Sequence, residues 1–565
     1  MDTGDEQKDA AARGSADGPG GSGSGGGGSG GGGTDAVRAR GGTTWQQRET
    51  SIKPLGVVLQ PPADRGPDEI FPTVYVPDRL LVSARRDVGE VVDALNRTFT
   101  QAGWRFEAQP VVVIERRARR GAASADSSRA DAGDSVRPAV TRVQVRAEGA
   151  AAGSVPDAWA VLDAARSAGV DLEGVGLDHL LTVGPVGMNP FTSTNPFGST
   201  NPFTSTNPFT STNPFTSTNP FGSTNPAAAG LGGYALPGFG GRQVVSWVGA
   251  GPHRSRRRLE KRPVVMVLDT GCAPHAWFEP DVVQTRVELD GVPIGLDDPA
   301  HDPDLSPDLV GPLDGQIDPV SGHGTFVSGV VLQACPDATI LAPRIADSLG
   351  RVVESDLSDA LEQIAELVQR YAQGLKGGRR IDVLNLSLGY YHETPDDVLY
   401  SAALRDVILQ ITAAGCAVVC SAGNDATSRP MFPAAFPGEP GDAPLLAVGA
   451  KNPGGHSVAL FSNTAPWVDL YACGVSVLST FPAFDGGAQA VTRRDAFGQR
   501  RESLDPDDFS AGFAVWSGTS FAAPLVSGTI ARMLDEAGGL DEQPDAAARA
   551  ARAEKVVDGL LASGV

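Results

Sequence analysis

Residues 264–271 read Val-Val-Met-Val-Leu-Asp-Thr-Gly, an unbroken apolar run that ends at a carboxylate. Such runs are typical of strands that are buried on both faces of a parallel sheet. Residues 381–388 and 416–420 form two more apolar runs, and a segment with helical apolar spacing separates them. Because strands and helices alternate, the sequence predicts an α/β fold with a doubly wound, mostly parallel sheet. Polar side chains at the carboxyl ends of its strands would lie where such sheets build their sites.

Four short motifs place reactive or polar side chains at the ends of predicted elements. Asp269 opens Asp-Thr-Gly, and His323 stands between two glycines before a helical run. Asn424 closes Ser-Ala-Gly-Asn after a predicted strand, and Ser520 lies in Gly-Thr-Ser-Phe-Ala-Ala-Pro before an apolar helix. A serine hydroxyl is a poor nucleophile at neutral pH, so it needs a base, a group that orients the base, and donors for an oxyanion. The chain offers one candidate for each of these roles.

Together the motifs resemble the four signatures of the subtilisin family of serine peptidases, in that family's order of Asp, His and Ser. The resemblance covers residues 242–536. It implies that Ser520 is the nucleophile, that His323 is the general base and then the acid, and that Asp269 orients the imidazole. It also implies that the Asn424 side chain and the Ser520 backbone N–H donate hydrogen bonds to the oxyanion.

The resemblance further implies two backbone segments that pair with an extended substrate and form the sides of a pocket. These segments are Ser387, Leu388, Gly389 and Ser421, Ala422, Gly423. Met431 would lie at the base of the pocket, which would then favour an apolar residue before the cleaved bond. Calcium is common in the family, but no convincing ligand cluster is visible, so the sequence predicts no cofactor or metal site and leaves structural calcium open.

Residues 67–185 predict a small α+β domain with the ferredoxin-like order β-α-β-β-α-β. Its predicted strands lie at 74–82, 111–114, 140–145 and 177–183, and its predicted helices at 88–99 and 156–168. Many subtilisin-family members carry a propeptide of this arrangement, which assists folding and inhibits the enzyme. The resemblance therefore implies that this domain is an intramolecular inhibitor, which self-cleavage within residues 184–262 would remove.

The remaining segments have biased composition. Residues 1–66 are rich in Gly and Ser and predict a disordered tail. Within residues 186–240 an Asn-Pro-Phe hexapeptide recurs, which predicts an extended linker because proline stops regular elements. Asn-Pro-Phe also resembles the ligand of EH-type domains, so a partner that binds the repeats is the alternative. Residues 241–536 would form the catalytic domain, and residues 537–565 a C-terminal tail helix.

Composition excludes several function classes. The chain has 67 acidic and 46 basic residues and a net charge of −21, which argues against binding to nucleic acid or to an anionic membrane. No signal peptide or membrane-spanning run is visible, so the sequence predicts a cytoplasmic protein, with export by an unrecognised route left open. The five cysteines lack metal-like spacing and are expected to be reduced core residues. The acidic loop at 297–308 is expected to be solvated.

The leading hypothesis is a serine endopeptidase that acts on proteins or peptides and is inhibited by its own N-terminal domain. The alternative from another class is an interaction scaffold that acts through the Asn-Pro-Phe repeats and carries a vestigial peptidase domain. An esterase with the same triad is a third reading, but the chain lacks the Gly-x-Ser-x-Gly elbow of that class at Ser520.

Overall fold

The computed structural model describes most of the chain from residue 70 onward. The described residues are 56–59, 70–110, 114–115, 135–136, 138–184, 234, 240–246, 248–255, 261–309, 315, 317–394, 398–486, 492–494, 497–538, 540 and 545–563. Most of the predicted tail and of the repeat linker therefore lies outside the described residues. No helix in these ranges is both long and apolar enough to cross a bilayer.

The described residues of the first part of the chain form seven strands and two α-helices. They are β1 (Val57–Leu59), β2 (Thr73–Ser83), α1 (Val88–Phe99), β3 (Trp104–Ala108), β4 (Ile114–Glu115), β5 (Ser135–Val136), β6 (Val140–Ala147), α2 (Ala158–Ser167) and β7 (Val175–Val183). The four longer strands form an antiparallel sheet in the order β7-β2-β6-β3. Asp87 and Asp157 cap the two helices by accepting hydrogen bonds from the amides of Glu90 and Ala160, both 3.1 Å long.

Two details of this first part differ from the sequence prediction. The strand that pairs with β6 is β3, which the sequence did not predict. Of the run predicted at 111–114 only Ile114 is among the described residues, and it belongs to β4, which pairs with β5. Only Phe106 of β3 is buried, at 1% exposure, between the charged neighbours Arg105 and Glu107, so its alternating pattern is weak. In addition, β1 lies inside the predicted tail but pairs antiparallel with the start of β2.

The second part of the chain contains the larger sheet and its helices. Its strands are β8 (Gln243–Val244), β9 (Val264–Val267), β10 (Val283–Gln284), β11 (Glu288–Leu289), β12 (Val292–Pro293), β13 (Thr339–Leu341), β14 (Arg351–Val353), β15 (Val383–Leu386), β16 (Leu388–Gly389), β17 (Ala417–Ser421), β18 (Leu445–Lys451), β19 (Leu470–Cys473), β20 (Val477–Thr480), β21 (Thr492–Arg494), β22 (Arg500–Glu502) and β23 (Phe513–Trp516). Its helices are α3 (His323–Ala334), α4 (Glu354–Ala372), α5 (Val398–Ala413), α6 (Thr519–Ala537) and α7 (Ala546–Ala562).

Seven strands of this part form one parallel sheet in the order β10-β13-β9-β15-β17-β18-β19. Helices α3 and α6 pack on one face in the core that contains Val265 and Val267. Helices α4 and α5 pack on the other face, in the core that contains Met266 and Leu384. The predicted doubly wound parallel sheet is therefore confirmed. The predicted tail helix, α7, packs against α5 and α6, and its Val556 and Leu560 join the first core.

One strand connects the two parts. The last residues of β7 pair antiparallel with β14 on one side and with β16 on the other. The smaller sheet therefore extends into the larger domain, and the chain at 180–184 lies extended between two strands of that domain.

All five cysteines are free thiols. Four of them are buried, as the sequence predicts, and burial raises the pKa of the Cys272, Cys416 and Cys420 thiols and raises that of Cys335 to about 12. The prediction of a core position is wrong for Cys473, which is exposed at the end of β19.

Candidate active site

A buried carboxylate and a buried imidazole meet at the carboxyl edge of the parallel sheet. Asp269 is the second residue after β9, and His323 is the first residue of α3. Nδ1 of His323 donates to Oδ1 of Asp269 across 2.8 Å, and neither side chain is exposed. Nε2 of His323 has no hydrogen-bond partner among the described residues. The free nitrogen is thus the one that can accept a proton.

Ser520 is the second residue of α6 and is 2% exposed. Its Oγ donates to the carbonyl oxygen of Gly184 across 3.2 Å. Four residues later, Pro524 has no N–H to give to the Ser520 carbonyl. The hydroxyl of Ser387 donates to that carbonyl instead, across 3.1 Å, which ties the serine to a neighbouring segment.

Asn424 lies beside the serine with a fixed amide orientation. Its Oδ1 accepts hydrogen bonds from the backbone N–H and the hydroxyl of Thr519, at 2.8 and 2.9 Å. Its Nδ2 therefore points the other way and donates to the carbonyl oxygen of Gly184 across 3.1 Å. One carbonyl oxygen thus receives hydrogen bonds from both Ser520 and Asn424.

The segment that ends at Gly184 is bound as an added strand. Thr182 and Val183 pair with residues of β16, and residues 180–182 pair with β14. The amide of Val183 also donates to the carbonyl of Gly350 across 2.7 Å. This is β-addition, in which main-chain hydrogen bonds hold an extended peptide while pockets receive its side chains.

A small cavity lies beside Gly184, with a volume of about 40 Å³. Six of the seven predicted binding residues line it: Ser387, Leu388, Gly389, Ser421, Gly423 and Met431. Ala422 does not, because it is fully buried and its amide bonds to the Val448 carbonyl. A Cβ on Gly389 or Gly423 would come within 2.5 or 2.6 Å of Met431. The Met431 side chain thus fills much of the space between the two segments.

A second buried histidine was not singled out by sequence analysis. Nδ1 of His179, on β7, lies 2.7 Å from Oε2 of Glu354, and its Nε2 lies 2.7 Å from Oε2 of Glu393. Burial opposes the charged form, but the two carboxylates outweigh it and raise the pKa of His179 to about 10. A neutral imidazole has a single N–H, so two carboxylate contacts require the imidazolium.

This cluster also bears on metal binding. Among the described residues, His179, His392 and Glu393 place their ligand atoms within 4.8 Å of one another. Both ring nitrogens of His179 are already engaged by carboxylates, so the group is an ion-pair cluster rather than an open metal site. No pattern in the sequence brings residues 179, 354 and 393 together, because their contact depends on how β7 docks.

One expectation about the acidic loop at 297–308 is wrong. Asp304 is 2% exposed instead of solvated, because four hydrogen-bond donors surround its carboxylate. Other acidic residues of the loop do face solvent; the side chains of Asp297 and Asp298 are 40% and 55% exposed.

A family model and several curated relatives match this chain. The model of the subtilase family matches residues 260–552, which is 293 of the 565 residues. The chain is 28% identical to subtilisin E of Bacillus subtilis (strain 168) over 229 residues, 38% of this chain and 46% of that protein. It is 27% identical to an intracellular serine protease of Paenibacillus polymyxa over 282 residues, 47% of this chain and 65% of that protein.

A solved structure of a cold adapted subtilisin-like serine proteinase aligns with 51% of this chain and 81% of its own, at 19% identity and a TM-score of 0.29. The match with subtilisin E spans about half of that relative's length. Because the family model matches more than half of the chain, this protein belongs to the subtilase family.

Proposed function

We propose that this protein is a serine endopeptidase that hydrolyses peptide bonds through Ser520, His323 and Asp269. The observation that carries the proposal is the Gly184 carbonyl oxygen, which accepts hydrogen bonds from both Ser520 and Asn424. That carbonyl directly follows β7, a strand that is held as an extended substrate would be held. A peptidase acts on such a carbonyl, and a binding scaffold has no need of a hydroxyl and an amide directed at it.

The chemistry follows from the proton positions. Nδ1 of His323 keeps its proton and donates it in a hydrogen bond to Asp269. Nε2 is therefore free to take the proton of the Ser520 hydroxyl as Oγ attacks the carbonyl carbon. The buried Asp269 carboxylate stabilises the imidazolium that forms. Nδ2 of Asn424 and the amino end of α6 stabilise the oxyanion, and the imidazolium then protonates the leaving amine.

The N-terminal domain acts as an inhibitor in this proposal. Its strand β7 fills the cleft on the approach to Ser520, so another peptide cannot bind there. The N-terminal domain also caps α4, because the helix's own N-cap residue, Val353, makes no side-chain hydrogen bond to it. Asp178 accepts from the Ser355 amide at 3.1 Å, and Arg142 bonds Asp356 and Asp359 of the same helix at 2.7 and 2.8 Å.

Self-cleavage within residues 184–262 would release this inhibitor. The bond that follows the held carbonyl is Gly184–Pro185, a tertiary amide whose nitrogen carries the proline ring. We expect the ring to crowd the nitrogen that His323 must protonate, so this bond is cut slowly and the uncut chain accumulates. A Pro185→Ser variant would be cut faster at this bond, as the mass of the chain would report.

The pocket beside Gly184 supports a preference for a small residue before the cleaved bond. Its volume of about 40 Å³ is a few times the roughly 10–15 Å³ that one water needs by the same measure, so there is room for a small side chain only. Glycine or alanine would fit, and a bulky apolar residue would require Met431 to move. Profiling with a peptide library checks this preference, and a preference for phenylalanine or a charged residue would contradict it.

The substrates in this proposal are proteins or peptides, the location is the cytoplasm, and a partner for the Asn-Pro-Phe repeats is a separate possibility.

Labelling with a serine-reactive fluorophosphonate tests whether Ser520 is a reactive nucleophile. Wild-type chain should be labelled slowly, a His179→Gln chain faster because its inhibitor is held more weakly, and Ser520→Ala versions of both not at all. If neither parent chain shows Ser520-dependent labelling, the peptidase proposal is wrong.

A further inference from the structure

Asp304 has the most heavily bonded carboxylate near the catalytic pair. Its Oδ1 accepts from the Thr270 hydroxyl at 2.7 Å and from the Gly322 amide at 3.0 Å. Its Oδ2 accepts from the amide and the hydroxyl of Thr325, at 2.8 and 2.5 Å. The side chain is almost completely buried. A buried carboxylate is costly unless such donors surround it, so its position is closely defined.

The helix that begins with His323 cannot supply its own cap. Its N-cap residue is Gly322, which has no side chain and a φ of +86°. A Cβ at this position would lie 2.6 Å from both Phe481 and Pro482, and its φ is in the region that favours glycine. The usual capping residues Ser, Thr, Asp and Asn are therefore excluded from this position.

Two residues from elsewhere in the chain satisfy the first amides of α3. Asp304 accepts from Thr325, the third residue of the helix, which is the amide that an N-cap side chain commonly binds. The Thr270 hydroxyl accepts from Gly324, the second residue, at 2.8 Å. A negative charge at this end of a helix is also favourable, because the helix dipole is positive there.

The same carboxylate connects this helix to the segment that carries Asp269. Thr270 directly follows Asp269 and donates to Asp304. The Thr325 hydroxyl, which donates to Asp304, accepts in turn from the Ala273 amide at 2.8 Å. Asp304 therefore bonds to residues next to both members of the catalytic pair, on two different elements.

We propose that Asp304 is a positioning residue that fixes the orientation of His323 against Asp269. It touches neither substrate nor the reacting atoms, and it acts through Gly322, Thr325 and Thr270. This proposal rests on the peptidase function proposed above. A displacement of about 1 Å in a catalytic group can lower the rate about 100-fold, so loss of the hydrogen bonds of Asp304 should lower the catalytic rate.

The Asp304→Asn variant of the full chain tests it. An asparagine keeps the size but presents an NH₂ group to half of the donors, so those bonds are lost. Complete titration with fluorophosphonate counts the reactive Ser520 sites, and turnover of a short peptide is divided by that count. We expect this turnover per site to fall by about tenfold or more, with KM within about twofold of the parent's. A purely structural role would lower the number of titratable sites and leave turnover per site unchanged.

The matched control is Asp297→Asn, from the same loop. Its carboxylate is partly exposed and bonds to Arg286 on the surface. We expect turnover per site to stay within about twofold of the parent. If Asp304→Asn also stays within that range, the positioning role is wrong. If that variant does not fold, Thr270→Val removes one donor, and a turnover per site equal to the parent's would overturn the proposal as well.

A spectroscopic measurement separates this proposal from the peptidase function. The Nδ1 proton of His323, held against Asp269, should give a strongly downfield ¹H resonance in the intact chain, assigned by its loss in Asp269→Asn. In Asp304→Asn this resonance should shift or broaden through exchange. An inactive parent with a resonance that depends on Asp304 would contradict the function but support the positioning. A resonance unchanged by the substitution would contradict the positioning.

Discussion

His323 and His179 are both fully buried and both bind a carboxylate through Nδ1, yet their surroundings differ in whether Nε2 can gain and lose a proton. Nδ1 lies 2.8 Å from Asp269 in the first and 2.7 Å from Glu354 in the second. They differ at Nε2. That of His323 has no partner among the described residues, whereas that of His179 lies 2.7 Å from Glu393.

The difference shows that a second carboxylate, bound at Nε2, holds a histidine ring in its charged form. With one carboxylate, the imidazole keeps a nitrogen that can take up and release a proton during catalysis. With two, it must stay charged for both contacts to hold. His179 also belongs to β7, five residues before the Gly184 carbonyl, so its charge helps to hold in place the segment that we propose to be inhibitory.

The largest effect should come from removing the proton carrier. In His323→Ala, the Ser520 hydroxyl has no base, and we expect kcat to fall by about 10⁴ to 10⁶-fold. Hydrolysis of a short peptide, normalised to the amount of folded protein, measures this loss. His179→Ala is the matched control, since it should not lower the rate of the chemical step; an equal loss in both variants would contradict the division of roles.

A smaller but substantial effect should follow from His179→Gln. A glutamine is neutral, so Glu354 and Glu393 lose their shared cation inside the interface. Breaking one partner out of a buried ion pair costs about 3–5 kcal/mol, which corresponds to roughly 100-fold or more weaker inhibition. We expect the basal turnover of the full chain to rise accordingly. Unchanged turnover and unchanged labelling of Ser520 would show that this cluster does not hold the inhibitor.

The pH dependence of inhibition should follow the same histidine. In the docked domain the pKa of His179 is raised from 6.5 to about 10, and in the released domain we take it as ordinary. The stabilisation is thus fully present below pH 6.5 and is lost as the pH rises through about 10. Besides the two glutamates, His392 faces this ring, and its own pKa is lowered to about 4 by burial and by the His179 charge.

We therefore expect the basal turnover of the wild-type chain, relative to that of His179→Gln, to rise between pH 7 and 10. The ratio cancels the effects of pH on the chemical step, which both chains share. A flat ratio across this range would mean that the proton on His179 does not contribute to docking.

The smallest effect should come from an ion pair at the rim of the same interface. Arg85 and Asp406 form a pair whose side chains are 56% and 39% exposed. Exposed pairs contribute about 0–1 kcal/mol, so Arg85→Ala should change basal turnover by no more than about fivefold. A change as large as that of His179→Gln would show that this exposed ion pair, and not the buried cluster, contributes most to the docking of the N-terminal domain.

Several elements could be predicted because their signal is local. The apolar run before Asp269 and the helical spacing of α1 and α5 depend on neighbouring residues only, and both elements are found close to the predicted positions. The four motifs lie together at one edge of the sheet, as strand and helix ends in a doubly wound sheet should. His323 bonds Asp269, its ring centroid is 5.2 Å from that of Phe521 next to Ser520, and Asn424 accepts from the Thr519 amide.

The rest depends on contacts between distant segments. Asp304 looks like one more charge in an acidic loop, and only the packing of that loop against α3 buries it. His179, Glu354 and Glu393 meet because β7 pairs with β14 and β16. Strand β3 was missed because its single buried side chain, Phe106, stands between charges.

The one exposed thiol of this chain, Cys473, lies close enough to Ser520 in the structure to serve as a labelling site for following that residue's loop. Cys473 is followed by Gly474, whose carbonyl oxygen accepts a hydrogen bond of 2.8 Å from the Gly518 amide, two residues before Ser520. The other four thiols are buried, so a maleimide dye would attach at Cys473 without any cysteine being removed. If β7 dissociates as proposed, the fluorescence of the dye would report the change at the loop of Ser520 without any substitution in the chain.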